Sequence, residues 1–294
     1  MATYEFRQYR GNGTKSNGEE AETPGEHGCY LASEELADCV NTSLAVGKPL
    51  LVTGKAGTGK TSLAYSIAAE LELGGVEVFA VRSDHLGRDL LFEIDNLQRF
   101  YDAQIGNPKA RDRRNYLRLG ALGKIIVADE RKVLLIDEID KAPRDFPNDL
   151  LHALDKMELR IPELGIEVRA SHSPIVVITS NEESRLPDAF LRRCVFHHIE
   201  FPDKPMLESI LKQRLHHLGL DDALRAILVD RFLGLWKVPG LLKQPSTSEL
   251  LTWALTLVKA GIDPATLPAE NGKLPYLGTL LKTGDDLQRV KRGL

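Results

Sequence analysis

The sequence has little cysteine and no long apolar run, and each absence excludes a class of protein. Three cysteines, Cys29, Cys39 and Cys194, occur in 294 residues and lack the paired spacing of a metal site. An odd number in a chain of this size favours reduced thiols over a disulfide framework. Every apolar run is far shorter than the ~18 residues of a membrane span, so we expect no transmembrane segment.

No strong excess of one charge is present either. The net charge is −4 and the isoelectric point is near 6.1, which gives no general attraction to nucleic acid. The one basic cluster runs from Lys109 to Arg114 and continues at Arg118. A solvated surface is the favoured interpretation, and a nucleic-acid contact is the alternative. The first residues carry no export or organelle signal, which predicts a cytoplasmic location.

The chain is long enough for one large α/β domain and a smaller one. Residues 1–28 have almost no apolar periodicity and predict a flexible segment. Five apolar runs, at 49–53, 76–81, 133–136, 175–180 and 195–201, alternate with helical stretches and predict a mostly parallel sheet within residues 29–203. Residues 204–294 show helical periodicity without strands and predict a helical lid and tail.

Three further segments allow more specific predictions. A helix capped by Ser33 is expected before the first strand, and a β-hairpin is expected from Glu158 to Arg169, which Pro162 and Gly165 interrupt. Residues 89–94 are predicted to open a helix. Leu91 and Phe92, within it, fit a buried core better than an exposed loop.

The most informative feature is a complete phosphate loop between the first strand and a helix. It reads Gly54, Lys55, Ala56, Gly57, Thr58, Gly59, Lys60, Thr61, and Ser62 follows. The glycines let backbone N–H groups converge on phosphate oxygens, the lysine adds a positive charge, and Thr61 offers a hydroxyl to Mg²⁺ at a helix N-terminus. A glycine-rich turn with a chance lysine would not require this strand–loop–helix setting. The sequence therefore predicts a nucleoside triphosphate site.

A second motif supports this prediction. Four apolar residues from Val133 lead into Asp137 and Glu138, as in a buried strand that ends in two carboxylates. Such an aspartate can hold Mg²⁺, and the adjacent glutamate can polarise the attacking water. At the end of the fourth predicted strand, Asn181 is expected to orient that water, with an ordinary loop asparagine as the alternative. ATP is preferred over GTP because no Asn-Lys-x-Asp motif for guanine is present.

Taken together, these motifs resemble the AAA+ superfamily of ring-forming ATPases, and within it the MoxR-like branch that includes dynein-related and midasin-type modules. The stretch from Asp137 to Ala142 is similar to the Asp-Glu-Ile-Asn-Arg-Ala pattern of that branch, and Leu186 to Arg193 is similar to Leu-Pro-Glu-Ala-x-Leu-Asp-Arg. The resemblance implies a P-loop domain with strand order 5-1-4-3-2 and a small helical lid. It also implies a nucleotide held between neighbouring subunits, usually in a hexamer.

Within this resemblance, Arg193 has the position of an arginine finger that acts on a neighbouring subunit, and Arg192 is the second candidate. The alternative is that these arginines pair with surface carboxylates. The hairpin from Glu158 would couple hydrolysis to movement of a partner protein, which in relatives often bears a von Willebrand factor A domain. Ser248 occupies the position of the sensor 2 arginine of the lid. Either Lys243 or an arginine from elsewhere supplies that charge, or the coupling of the lid to hydrolysis is altered and turnover is slow.

The favoured function is therefore an ATP-hydrolysing, Mg²⁺-dependent remodelling or chaperone-type ATPase. Two alternatives remain open. A slow nucleotide-gated assembly switch is encouraged by Ser248, and a DNA- or RNA-directed motor would use the basic cluster from Lys109 to Arg118.

Overall fold

The computed structural model describes residues 8–13, 30–181 and 186–293. The chain divides into two compact units, one formed by residues up to 54 with residues 60–198 and the other by residues 55–59 with residues from 199 onward. The strands of the first unit, in chain order, are β1 Leu50–Thr53, β2 Val76–Ala80, β3 Phe92–Ile94, β4 Leu117–Leu119, β5 Val133–Asp137, β6 Glu158–Ile161, β7 Ile166–Arg169, β8 Ile175–Ser180 and β9 Val195–His198.

Helices connect these strands and form the second unit. In the first unit they are α1 Glu34–Val46, α2 Lys60–Glu70, α3 Asn96–Gln104, α4 Ala121–Ile126, α5 Phe146–Lys156 and α6 Asp188–Leu191. In the second unit they are α7 Lys204–Arg214, α8 Asp222–Trp236, α9 Thr247–Lys259, α10 Leu277–Leu280 and α11 Gly284–Arg292. The predicted cap of α1 is confirmed, because the Ser33 side chain accepts a hydrogen bond from the backbone N–H of Leu36 at 3.2 Å.

Five parallel strands form the main sheet in the order β2-β5-β8-β1-β9. Counted along these five strands alone, this is the expected order 5-1-4-3-2 viewed from the other edge. Every residue of β1 and β8 is buried, which explains their nearly continuous Val, Leu and Ile content. The predicted α/β architecture is therefore confirmed.

The expected helix over 89–94 is wrong. A 3₁₀ turn ends at Leu90, and β3 then pairs antiparallel with β4, so that a small two-stranded sheet carries α3 at its tip. A Cβ atom on Gly120 would come 2.3 Å from the carbonyl oxygen of Asp89, and one on Gly123 would come 1.9 Å from that of Leu91. Glycine is required here because two backbones approach closely. Leu91 and Phe92 pack against the core, as expected.

The predicted hairpin from Glu158 to Arg169 is confirmed. Strands β6 and β7 pair antiparallel with Glu158 opposite Arg169 and Ile161 opposite Ile166. The reversal is a 3₁₀ turn that Pro162 opens, and Gly165 ends it with a φ of 62°. Leu159 and Ile161 are buried in the core, so the hairpin is anchored through one face.

Part of the segment expected to be flexible is packed against the first unit. Tyr9 is 1 % exposed, and its hydroxyl lies 3.0 Å from Ser66 Oγ. The Glu70 carboxylate accepts backbone N–H bonds from Arg10, Gly11 and Gly13 at 3.2, 3.0 and 2.9 Å. Residues 8–13 are therefore tied to α2, and the remainder of the predicted segment, residues 1–7 and 14–28, lies outside the described residues.

The second unit has a hydrophobic core of its own. Leu207, Phe232 and Trp253 are fully buried in it. A carboxylate fixes its last helix, since Asp286 of α11 accepts the backbone N–H groups of Leu242 and Lys243 at 2.8 and 3.2 Å. Among the described residues of the whole chain, none of the helices has the length and apolar character needed to cross a membrane.

Candidate nucleotide-binding site

The parallel register brings the predicted phosphate, metal and water-binding residues of the first unit to one edge of the sheet. Thr53 at the end of β1 lies beside Ser180 at the end of β8, and Ile136 lies beside Ile178. Three site residues mark the ends of strands: Gly54 follows β1, Asp137 ends β5 and Asn181 follows β8. Ligands of open α/β sheets bind at this carboxyl edge.

Lys60 begins α2 and is directed back toward this edge. Its Nζ donates to the Gly54 carbonyl oxygen at 2.7 Å and to Asn181 Oδ1 at 2.9 Å. The side chain is 7 % exposed. Burial lowers the pKa of the Lys60 ammonium, and the nearby carboxylates of Asp137, Asp140 and Glu138 partly oppose this shift. The lysine is thus a desolvated cation at a helix N-terminus, where an anion is attracted.

Two hydroxyl groups hold the Asp137 carboxylate and the backbone of Glu138 at the end of β5. Thr61 Oγ1 donates to Asp137 Oδ1 at 3.1 Å. Thr179 Oγ1 donates to the same oxygen at 2.6 Å and accepts the backbone N–H of Glu138 at 2.9 Å. Thr179 therefore connects the expected metal ligand to the expected water-activating residue.

The backbone of Glu138 is left-handed, with φ 59° and ψ 51°, although it carries a side chain. Such a conformation is uncommon outside glycine and costs free energy of order 1–3 kcal/mol. The Glu138 carboxylate accepts a hydrogen bond from Lys141 Nζ at 2.5 Å. This contact raises the pKa of the Lys141 ammonium, which is exposed over half of its side chain.

Asn181 is held by its backbone as well as by its side chain. Asp140 Oδ1 accepts the backbone N–H of Asn181 at 3.0 Å and the hydroxyl of Ser180 at 3.2 Å. The amide oxygen of Asn181 is engaged by Lys60. The asparagine is therefore fixed at the edge of the sheet rather than free in a loop.

The tip of the phosphate loop, residues 55–59, groups with the second unit. Gly57 and Gly59 have φ values of 76° and 91°, which only glycine adopts readily. Within this unit, Lys55 Nζ donates to Gln244 Oε1 at 2.8 Å and lies 5.7 Å from the centre of the Trp236 ring. A Cβ on Gly57 would come within 2.3 Å of Ser246 Oγ and 3.7 Å of Ser248 Oγ. Ser246 and Ser248 therefore lie beside the loop tip.

The two candidate arginines lie apart from the residues described above. Arg192 caps α6 and Arg193 precedes β9, so both lie at the amino edge of the sheet. Arg193 lines a cleft of about 280 Å³ together with Lys48, Asp155 and Met157. Within the described part of the chain, neither arginine has an ion-pair partner. Within one chain, Arg193 and Asp137 therefore lie at opposite edges of the sheet.

The chemistry of the donors fits a magnesium–nucleotide complex. Thr61 Oγ1 and Asp137 Oδ1 are hard oxygen atoms 3.1 Å apart, the ligand type that Mg²⁺ prefers. Among the described residues there is no cluster of three or more His, Cys, Asp or Glu side chains that could hold a metal without the phosphates. Lys60 and the N-terminus of α2 supply the positive potential that phosphate groups require.

Comparison with known families matches residues 50–203 to the ATPase family associated with various cellular activities (AAA). The match covers more than half of the chain and includes the phosphate loop, Asp137, Glu138 and Asn181. The chain belongs to the AAA family.

Two known proteins are similar to this AAA ATPase. The mitochondrial Lon protease homolog of Phaeodactylum tricornutum is 30 % identical over 210 residues, which are 67 % of this chain and 20 % of that protein. The chain thus spans a fifth of the length of this relative. The structure of a point mutant of RuvB from Thermotoga maritima superimposes with a TM-score of 0.50 at 16 % identity, covering 93 % of this chain and 74 % of that one. At this low sequence identity, the similarity to RuvB shows only that the two proteins share a fold.

Sequence reasoning missed three residues of this AAA ATPase site. Thr179, Asp140 and Lys141 hold Asp137, Asn181 and Glu138, respectively. The available signal for Thr179 was a polar residue at the end of an otherwise apolar strand. Asp140 and Lys141 were noted only as part of a family pattern, because their contacts depend on a 3₁₀ turn after Glu138 that sequence periodicity does not reveal.

Proposed function

We propose that this AAA ATPase is a MoxR-like machine that binds ATP with Mg²⁺, hydrolyses it and uses the cycle to remodel a partner protein. The network that links Lys60, Thr61, Asp137 and Asn181 at the carboxyl edge of the sheet carries the proposal. Lys60 and the backbone amides from Gly54 to Ser62 would bind the phosphates. Thr61 and Asp137 would hold Mg²⁺, which when bound neutralises phosphate charge.

Glu138 and Asn181 would act on the attacking water. A glutamate beside the Mg²⁺ ligand can accept the proton of the water, and an amide can fix its orientation. The backbones of Glu138 and Asn181 need not rearrange for this. Thr179 already accepts the N–H group of Glu138, and Asp140 accepts that of Asn181. Rotation of the Glu138 side chain away from Lys141 would expose its carboxylate.

The proposal includes a ring of identical subunits, with a hexamer as the expected size. Arg193 lies at the opposite edge of the sheet from Asp137, where it could reach only a neighbouring subunit's nucleotide. Its lack of an ion-pair partner among the described residues favours this role over a structural one. Arg192 is the second candidate. A partner protein with a von Willebrand factor A domain fits the MoxR-like resemblance.

A nucleotide-gated assembly switch with slow turnover is the second candidate function. Two observations favour it. Lys141 engages the Glu138 carboxylate, and Ser248, which has no positive charge, lies beside the loop tip where related lids carry an arginine. Both features would reduce hydrolysis more than nucleotide binding.

Measurement of the ATPase rate against protein concentration, alongside mass photometry with and without ATP, tests the proposal. We expect specific activity to rise with concentration as rings form, and to collapse in Arg193→Ala. The matched control is Arg292→Ala, which removes an exposed arginine from α11. Activity independent of both concentration and Arg193 would contradict the ring mechanism. Tight ATP binding without turnover would favour the switch.

A second variant tests the catalytic assignment itself. Glu138→Gln keeps the shape of the side chain but cannot accept a proton, so it should bind ATP, retain assemblies and lose about 10²-fold or more in turnover. Hydrolysis at the wild-type rate would show that Glu138 does not activate the water. Stimulation of wild-type turnover by DNA or RNA, abolished by salt, would instead support a nucleic-acid motor that uses Lys109 to Arg118.

A further inference from the structure

Helix α3, at the tip of the β3–β4 insert, leaves large apolar side chains exposed, whereas the one residue that it buries, Asp102, is charged. Leu97, Phe100, Tyr101 and Ile105 are 81, 63, 57 and 61 % exposed. At 100° per residue, these side chains fall on one face of the helix and its end. A surface helix normally has the reverse arrangement, because exposing large apolar side chains forgoes the free energy of burying them. We call these four residues the α3 face.

The polar side of α3 is fastened to the rest of the insert. Asp102 is 8 % exposed and accepts hydrogen bonds from the Tyr116 hydroxyl at 2.6 Å and from Gln98 Nε2 at 3.1 Å. Arg99 Nε donates to the carbonyl oxygen of Ala110 at 3.2 Å. The Tyr116 hydrogen bond lowers the pKa of Asp102 and keeps the carboxylate charged. These contacts orient the helix so that the α3 face is directed outward.

A basic border lies next to helix α3, in the 3₁₀ turns that contact it. Lys109, Arg111 and Arg113 occupy the two 3₁₀ turns after α3, and all three are exposed. Within the described residues none of the three forms a salt bridge, although the charge of Lys109 helps to lower the pKa of Asp102, whereas Arg118 of the same insert is paired with Asp95 at 3.0 Å. The whole chain carries a net charge of −4, so this border is a local reversal of sign.

We propose that the α3 face and its basic border form a docking surface for an acidic amphipathic segment of a partner protein. Apolar side chains of the segment would cover Leu97, Phe100, Tyr101 and Ile105, and its carboxylates would pair with Lys109, Arg111 and Arg113. The inference deepens the proposed function, on which it rests, by naming the chemistry of the partner. Docking itself requires no hydrolysis.

The composition of the face favours a protein segment over other occupants. Phe100 and Tyr101 offer rings on which a base could stack, but Leu97 and Ile105, which are as exposed, are aliphatic and suit an apolar side chain instead. A nine-residue helix is only about 14 Å long, too short to supply the roughly 800 Å² per partner of a stable dimer. A short amphipathic segment, by contrast, can be bound through apolar anchors spaced along a helix.

Selection of a random peptide library displayed on phage against the full chain tests the proposal. We expect enriched peptides to combine apolar residues at helical spacing with Asp and Glu. Synthetic versions of these peptides should lose about tenfold or more in affinity for the double variant Leu97→Ser, Phe100→Ser. The charge variant Arg111→Glu, Arg113→Glu should weaken binding and remove its salt dependence. Leu242→Ser, which alters an exposed leucine of the second unit, is the matched control.

Each other outcome overturns the inference. Enrichment of no peptides, or of peptides that bind the Leu97→Ser, Phe100→Ser variant as well as the wild type, would exclude a peptide-docking role. Ring assembly lost in that variant would assign the face to a second copy of the chain. Binding of single-stranded DNA or phosphatidylserine vesicles that the variant loses would assign it to nucleic acid or lipid. The ATPase rate without added peptide distinguishes a failure of the docking inference from a failure of the proposed function. The Leu97→Ser, Phe100→Ser variant should keep the basal rate even where it no longer binds peptide.

Discussion

Lys141 Nζ and the Glu138 carboxylate are joined by a hydrogen bond of 2.5 Å, formed between a lysine that ends a short 3₁₀ turn and a glutamate in a left-handed conformation. The pair directs the carboxylate toward the turn instead of leaving it available to a water molecule. Both side chains are substantially exposed, at 53 and 40 %. An ion pair of this exposure is screened by solvent and contributes little to stability, so it biases Glu138 without locking it.

The first prediction concerns this bias. Lys141→Met keeps the length of the side chain and removes its charge, so the Glu138 carboxylate should be available more often and the ATPase rate should rise up to about fivefold. Steady-state turnover at saturating ATP measures the effect. Lys273→Met, which removes the exposed partner of Glu270 in the second unit, should leave the rate unchanged. A fall in turnover in Lys141→Met would show that the lysine assists catalysis instead.

Thr179 gives the second prediction, because one hydroxyl serves both Asp137 and Glu138. Thr179→Val preserves the shape but leaves the part-buried backbone N–H of Glu138 without its acceptor, at a cost of about 1 kcal/mol. We expect turnover to fall about tenfold or more while ATP affinity changes less. Thr179→Ser restores the hydroxyl and should recover most of the activity. Equal activity of the valine and serine variants would show that the hydroxyl does not position either carboxylate.

The third prediction concerns the tie between residues 8–13 and α2. Glu70→Gln removes the charge that three backbone N–H groups share, and its amide nitrogen would face those donors. We expect a loss of about 1–3 kcal/mol in stability and faster hydrogen exchange at Gly11 and Gly13. Glu35→Gln, an exposed change in α1, is the control. Unchanged exchange at both glycines would mean that Tyr9 alone anchors the segment.

The fourth prediction is a pH dependence confined to the second unit. Burial alone would raise the pKa of Asp286, but hydrogen bonds from Thr283, Leu242 and Lys243 and the charge of Arg289 outweigh it and lower the pKa. A folded-state pKa below the unfolded value of ~3.9 stabilises the unit above that pH, and the contribution is lost as pH falls through the folded-state pKa. Asp286→Asn should therefore be less stable than the wild type at neutral pH, and the difference should shrink below about pH 4.

Urea unfolding followed by tryptophan fluorescence measures this difference directly. The chain contains two tryptophans, Trp236 and Trp253, and both lie in helices of the second unit. Their signal therefore reports that unit rather than the sheet. Asp285→Asn, a change in the same first turn of α11, controls for the helix dipole. A difference that stays constant between pH 7 and pH 3 would mean that the charge of Asp286 plays no part.

Much of the fold could be predicted because the central strands of its sheet, β1, β5 and β8, are buried on both faces. The runs at Val133 and Ile175 are continuous apolar segments bounded by polar residues, and the phosphate loop has a fixed spacing. The β3–β4 insert could not be predicted in the same way. Phe92-Glu93-Ile94 is a three-residue strand whose partner begins only at Leu117, and local periodicity carries no information about such a pairing.

The site was predictable to the same degree. Lys60, Thr61, Asp137, Glu138 and Asn181 are named by motifs, and the register of parallel strands explains why they meet. The side chains that hold them depend on distances of a few ångströms between a 3₁₀ turn and a neighbouring strand. The inverted face of α3 was also missed, because an amphipathic pattern does not state which side of a helix is covered.

The order of the sheet also determines when the site can exist during synthesis. Leu50 of β1 pairs with Val177 of β8 on one side and with Val195 of β9 on the other. The strand that leads into the phosphate loop therefore leaves the ribosome long before either of its neighbours. Until β8 has been synthesised, the hydrogen bonds from Lys60 to Asn181 and from Thr179 to Asp137 cannot form. A nascent chain that stops short of residue 181 should not retain nucleotide, and the ability to do so should arise abruptly as β8 and β9 close around β1.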